Sequence, residues 1–267
     1  MRMHAATMPA RSDTRRAERL VFLHGFTQTH HHWHAVAHDL AGRLTGVPTL
    51  AFVDLPGHGL AGDDHTPIGE AGAPLADLAG GGTYVGYSMG GRFALMAAVA
   101  RPDLVDRLVL IGATPGINDD DERVERRALD ERRAAQIEHD GVPAFIDDWL
   151  AAPMFAGLPD DPHDRPHRCR NTVAGLAASL RTAGTGSQPS LWGRLREITG
   201  PVLVLAGERD TKFTEIGNRM TERLPNATFV SVAGAGHAAH TEQPEQTARI
   251  IADWIRSQRE RSWAGVP

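Results

Sequence analysis

Residues 85–94 read VGYSMGGRFA: the end of an apolar run, then Gly-x-Ser-x-Gly, then a helical pattern from Met89 to about Ala100. A chain turning sharply from strand into helix crowds its own backbone, and Gly86 and Gly90 relieve that crowding by lacking side chains. The turn lifts the Ser88 hydroxyl above the end of a sheet, at a helix amino terminus whose first N–H groups have no intrahelical acceptor. Arg92 follows about one helical turn later, and a serine at a turn gives no reason for it.

Working outward from this turn, five more apolar runs stand at 20–23, 49–59, 106–114, 200–210 and 227–237. Their unbroken apolar character fits strands buried on both faces, hence a parallel sheet. Helical patterns lie between most of them, so the fold class is α/β, doubly wound and mostly parallel. About 85 residues separate the fourth run from the fifth and break this rhythm. Within them, residues 119–140 form a charged helix with an acidic first turn, suited to the positive end of the helix dipole. A shorter amphipathic piece follows, VPAFIDDWLAAPMFAGL, and then a further helix in PHRCRNTVAGLAASLRTAG. These patterns predict a core over 19–114 and 196–267, a helical cap over 115–195 above the carboxyl ends of the strands, and a flexible tail over 1–18. Ligands of open α/β sheets bind at that carboxyl edge.

Bulk properties narrow the function. A chain of 267 residues fits one α/β domain with an insertion. The net charge of −5 argues against general nucleic-acid binding. No apolar run reaches the roughly 18–20 residues that span a membrane. The single cysteine, Cys169, has no internal disulfide partner, which favours a cytoplasmic setting.

A serine hydroxyl needs a histidine to act as base or nucleophile, and that histidine needs an orienting carboxylate. His237 lies in AGAGH just after the last apolar run, and Asp210 ends VLAGERD just after the run before it. Both fall on loops at strand carboxyl ends, on the same rim as Ser88, so Ser88, Asp210 and His237 are the candidate catalytic residues. The backbone N–H groups of Phe26, in LHGF, and Met89 are the expected oxyanion donors. The same loop carries THHHWH, where His30 and His34 have i,i+4 spacing. Zinc asks for a third ligand of defined spacing, so the pair is read as a solvated helix start and no metal is expected. Asp54, in DLPGHG, is read as a structural turn residue.

LHGF, DLPGHG, GYSMGG, LAGERD and AGAGH together resemble the α/β-hydrolase superfamily over about residues 20–256. Within it, VGYSMGGR, ATPGINDDDERVERRALDERRA, PMFAGLP and GERDTKF resemble the 2-succinyl-6-hydroxy-2,4-cyclohexadiene-1-carboxylate synthases of menaquinone biosynthesis. That resemblance implies a lyase that eliminates pyruvate from 2-succinyl-5-enolpyruvyl-6-hydroxy-3-cyclohexene-1-carboxylate by triad-assisted proton abstraction, with no cofactor. It also gives Arg92 a purpose, because a guanidinium fork fits a carboxylate and this substrate carries three. The branch's other substrate-contacting positions fall on Tyr87, Arg126, Trp149, Lys212 and an arginine of RCRN, either Arg168 or Arg170. The implied partner is a small polycarboxylate, with association with other menaquinone-pathway enzymes a further expectation. Three departures stand out: the segment before the serine turn is rich in Gly, Ala and Pro, GHGLAG lacks a following serine, and the histidine cluster is unusual. A serine hydrolase acting on an ester, thioester, lactone or C–C bond uses the same triad without the cations. A non-enzymatic binding module on the same fold is the third reading, and it leaves an intact triad unexplained.

Overall fold

The structure, a computed structural model, describes residues 3–8 and 18–264. Its strands are β1 (His4–Met8), β2 (Arg19–Leu23), β3 (Thr49–Asp54), β4 (Gly82–Tyr87), β5 (Val105–Ile111), β6 (Val202–Gly207) and β7 (Ala227–Val232). Its helices are α1 (His34–Arg43), α2 (Gly72–Ala79), α3 (Met89–Ala100), α4 (Asp120–Leu150), α5 (Asp164–Arg168), α6 (Val173–Ala183), α7 (Thr211–Thr221), α8 (Ala239–Glu242) and α9 (Pro244–Ala264). The seven strands form one sheet in the order β1-β3-β2-β4-β5-β6-β7. All neighbours are parallel except β1, which runs antiparallel to β3 with His4 opposite Asp54.

Alternation along the strands explains the two-sided burial. Val21, Leu23, Leu108, Leu110, Val202 and Val204 point to one face and pack with Leu75 of α2, Phe93 of α3 and Met220 of α7. Leu20, Phe22, Val109, Ile111, Leu203 and Leu205 point to the other and pack with Val36 and Leu40 of α1 and Ile251 and Ile255 of α9. β2, β3, β4 and β6 are therefore buried at nearly every position, which is why their runs show no period of two in the sequence.

The expectation of a flexible tail over 1–18 is corrected in part. Residues 4–8 form β1, an edge strand whose side chains are half-buried or exposed, so apolar patterning gives it no signature. The remaining residues of that stretch, apart from Met3 and Glu18, lie outside the described ones. Among the described residues, no helix is long and apolar enough to cross a membrane.

The helical segment between β5 and β6 has a small core of its own, in which Ala134, Ile137, Phe145 and Ile146 of α4 meet Leu176 and Leu180 of α6. Asp119 caps α4 by accepting from the Glu122 N–H at 2.9 Å. Gly141, with φ +79°, breaks α4 into a longer charged half and a shorter half ending at Leu150, as the two separate patterns predict. The stretch 166–184 is a short helix and a longer one, α5 and α6, separated by a turn around Asn171.

Candidate active site

The chain runs from β2 outward to β3 and then crosses back to β4 on the other side of β2. The loops after β2 and β4 therefore leave the sheet at the point where strand order reverses, and a crevice opens between them. The first loop carries Phe26 and the second carries Ser88.

The serine turn is built by close main-chain contacts. A Cβ on Gly86 would lie 2.5 Å from the Gly90 carbonyl oxygen, and one on Gly90 would lie 2.0 Å from that of Leu23. Ser88 itself sits at φ 49°, ψ −108°, a conformation that costs a non-glycine residue roughly 1–3 kcal/mol. The Ser88 N–H donates to the Ile111 carbonyl at 2.8 Å, which pins the strained residue to the neighbouring strand. Asp210 follows β6 and His237 follows β7. His237 Nε2 lies 3.2 Å from Ser88 Oγ, and its Nδ1 lies 2.7 Å from Asp210 Oδ2. The other Asp210 oxygen, Oδ1, accepts from the Phe213 N–H at 3.2 Å, so the carboxylate also caps α7. The three groups thus form one continuous hydrogen-bonded chain.

Two buried imidazoles fix the oxyanion loop. His24, after β2, accepts from the Leu55 N–H at 3.1 Å, and His58, after β3, accepts from the Thr27 N–H at 3.2 Å. Each bonds a carbonyl of its own loop through Nδ1, Gly25 for His24 and Pro56 for His58. The pair cross-links the two loops reciprocally, and both rings must be neutral to accept. Burial pushes His24 down to about 3 and His58 down to about 4, with the neighbouring His58 charge adding to the effect on His24. In the sequence, the only signal of this role is the position of the two histidines in LHGF and DLPGHG. Gly25 is required here as well, since a Cβ would lie 2.5 Å from the Tyr87 ring.

Ser88 and His237 open into a cavity of about 470 Å³ between the sheet and the helical segment. Every residue predicted from the sequence borders it: Ser88, Asp210, His237, Phe26, Met89, Tyr87, Arg92, Arg126, Trp149, Arg168 and Lys212. The two arginines of RCRN point in different directions. Arg168 turns inward, donating to Thr27 Oγ1 at 2.5 Å and to Asp164 at 2.7 and 3.0 Å. Arg170 turns outward, with Nη1 3.2 Å from His31 Nε2. Trp149 packs edge-on against Phe26 and beside Phe145 and Phe155.

Five cations face this space, one more than the sequence suggested. The addition is Arg133, whose guanidinium lies 5.1 Å from the Trp149 ring centre. It stands seven residues after Arg126, two turns along one helix face, which was its available signal. Arg126 Nε donates to both oxygens of Asp130 at 2.9 and 3.0 Å. Arg92 differs. It is buried, and Nη1 donates to the Ala183 carbonyl at 2.7 Å and to Gln188 Oε1 at 3.3 Å. Among the described residues, no carboxylate lies within ion-pair distance of it. Burial, reinforced by Arg126, lowers it to about 9, which leaves it charged at neutral pH.

Asp54 is structural, as expected. Its buried carboxylate accepts from the N–H groups of His30 and Leu60 and lies 2.8 Å from His30 Nδ1. Burial alone would push it up, but the His30 hydrogen bond, the His24 charge and the backbone donors together hold it well below the carboxylate range. The histidine run holds one more neighbour than the i,i+4 pair. His31 joins His30 and His34, and ring nitrogens of the three lie within 4.8 Å of one another.

Comparison with known proteins agrees with this geometry. The alpha/beta hydrolase family matches residues 20–250. A Bacillus subtilis protein provisionally named 2-succinyl-6-hydroxy-2,4-cyclohexadiene-1-carboxylate synthase is 36% identical over 256 residues, covering 90% of this chain and 91% of its own. The synthase of that name from Salmonella typhimurium is 33% identical, covering 96% of this chain and 100% of its own. The solved structure of MenH from S. aureus superposes with a TM-score of 0.86 at 30% identity, covering 96% of this chain and 99% of that one.

Proposed function

The chain belongs to the alpha/beta hydrolase family, and from that premise we infer that it is a carbon–oxygen lyase of menaquinone biosynthesis rather than a hydrolase. Its substrate is 2-succinyl-5-enolpyruvyl-6-hydroxy-3-cyclohexene-1-carboxylate and its products are pyruvate and 2-succinyl-6-hydroxy-2,4-cyclohexadiene-1-carboxylate. The names of the relatives support this reading. The observation that carries it is the charge of the cavity: guanidinium and ammonium groups surround the triad, and Arg92 is held there without a carboxylate of the protein. An ester hydrolase has no use for a buried cation in the wall of its cavity, whereas a tricarboxylate substrate calls for one.

The succinyl ketone acidifies the C–H of the ring carbon that bears it. Ser88 removes that proton and passes its own to His237, whose positive charge Asp210 stabilises. The electron pair spreads onto the ketone oxygen, which the N–H groups of Phe26 and Met89 receive. Met89 is the first residue of α3, so its N–H has no acceptor within the helix. The charge then returns through the ring: a new double bond forms at the deprotonated carbon, the existing one shifts along, and the C–O bond to enolpyruvate breaks. The enolpyruvate leaving group takes up the proton that His237 holds and becomes pyruvate, and losing that proton returns the triad to its starting state. Arg92, Arg126, Arg168 and Lys212 hold the carboxylates, with Tyr87 and Trp149 as walls. Positioning of this kind replaces a large part of the entropic barrier. The reading carries with it a cytoplasmic location, supported by the single cysteine, and association with the neighbouring enzymes of the pathway.

The test is to mix the purified protein with the enolpyruvyl precursor and follow pyruvate with a coupled lactate dehydrogenase. Pyruvate release at enzymatic rates is expected. Rapid turnover of p-nitrophenyl esters with no pyruvate release would return the protein to the serine hydrolases.

A further inference from the structure

We propose that His30, His31 and His34 form a binding site for a divalent transition metal of the zinc class, outside the catalytic cavity. None of the three borders that cavity. His30–Trp33 is a 3-10 helix that passes directly into α1 at His34. In the tighter turn residues three apart eclipse, and in the α-helix residues four apart share a face. The junction therefore brings both His31 and His30 against His34. The ring centres of His30 and His31 are 4.0 Å apart, those of His31 and His34 5.2 Å, and those of His30 and His34 5.8 Å.

One ligand is already oriented. The buried Asp54 carboxylate holds His30 Nδ1 at 2.8 Å and anchors the His30 backbone N–H at 2.8 Å. A carboxylate that fixes one ring nitrogen leaves Nε2 to face the metal, which is the usual outer support of a zinc-bound imidazole. Nitrogens around tetrahedral zinc stand about 3.4 Å apart at bond lengths of about 2.1 Å, so nitrogens already within 4.8 Å of one another close by small rotations, and His34 is exposed. Imidazole donors favour zinc, nickel or copper over magnesium or calcium. The competitor is Arg170, whose guanidinium occupies the lone pair of His31 Nε2.

The experiment is equilibrium dialysis of the tag-free protein against Zn²⁺, with Co²⁺ absorbance as an independent reading of coordination. One zinc per chain is expected, with the visible bands of an imidazole-ligated Co²⁺. His34→Ala and His31→Asn should each weaken binding at least tenfold, whereas substituting the exposed His139 leaves it unchanged. Arg170→Gln should tighten binding several-fold by freeing the His31 lone pair. Zinc bound with equal affinity by wild type, His34→Ala and His31→Asn would overturn the site, as would wild-type protein that takes up no zinc.

Discussion

The floor and the roof of the cavity are built in different ways. On the floor, Ser88, Asp210 and His237 stand on turns that follow three strands of one sheet, and the serine turn is fixed by backbones in contact too close for a Cβ. On the roof, Arg126, Arg133 and Trp149 project from α4 and Arg168 from α5, reaching the space through long side chains steered by Asp130 and Asp164. Floor positions are thus set by main-chain geometry and roof positions by side-chain electrostatics. Proton transfer needs sub-ångström placement and takes the rigid half; anion recognition tolerates adjustment and takes the adaptable half. Arg92 joins them, since it rises from α3 behind the serine but is held by the Ala183 and Gln188 oxygens, at and just beyond the end of α6.

The sharpest way to break this division is Ser88→Ala. Loss of the proton-abstracting group should lower kcat by roughly 10²–10⁴-fold with KM little changed, measured by pyruvate release on a protein whose melting curve is unaltered. Arg92→Ala should do the reverse. A charged hydrogen bond worth about 1.5–3 kcal/mol is lost, so KM should rise about 10–100-fold while kcat falls less. A fall in kcat with unchanged KM would place Arg92 on the floor. Its pH dependence gives a second reading. Burial lowers Arg92 only to about 9, so its charge, and the substrate affinity that rests on it, should hold across neutral pH.

The loop supports test the rigid half in another way. In the folded protein His24 and His58 titrate at about 3 and about 4, below the ordinary histidine value of 6.5. Their contribution to stability is therefore complete above pH 6.5 and is lost as the pH falls from there toward those values. Each adds a slope of up to about 1.4 kcal/mol per pH unit. Urea midpoints should drop between pH 7 and 5, and a flat profile would mean that the two rings take up protons as readily in the folded protein as in the unfolded chain. Arg126→Ala is the mildest change. Its guanidinium is already shared with Asp130 and partly exposed, so a cost of about 0.2–1 kcal/mol should raise KM about 2–5-fold.

The sequence was most legible where chemistry constrains the backbone. Gly86, Ser88 and Gly90 leave a signature because nothing larger fits, and Asp210 and His237 are found by counting strands. The cations were legible mainly through resemblance, because a helix surface carries many arginines and only tertiary packing selects those that face inward. Arg168 and Arg170 illustrate this: they lie two residues apart at the end of a short helix, and nothing local says which one turns toward Thr27. Arg133 was hidden in the same charged run. β1 was missed because an edge strand of HAATM buries too little to need apolar alternation. His31 escaped because the i,i+4 count assumes an α-helix where the chain makes a 3-10 turn.

Gly141 has a consequence for how such a roof diversifies. Upstream of it, α4 carries Arg126 and Arg133 two turns apart, about 10.5 Å along the axis, a fixed spacing between two positive heads. Downstream of it, α4 carries Trp149 on a segment with its own direction. A residue inserted between Arg133 and Gly141 would swing the arginines by about 100° relative to the indole, while an insertion between Gly141 and Trp149 would turn the indole alone. The hinge glycine makes one helix into two independently adjustable gauges, so the reach between carboxylates and the width of the ring slot can drift apart while the machinery beneath stays as it is.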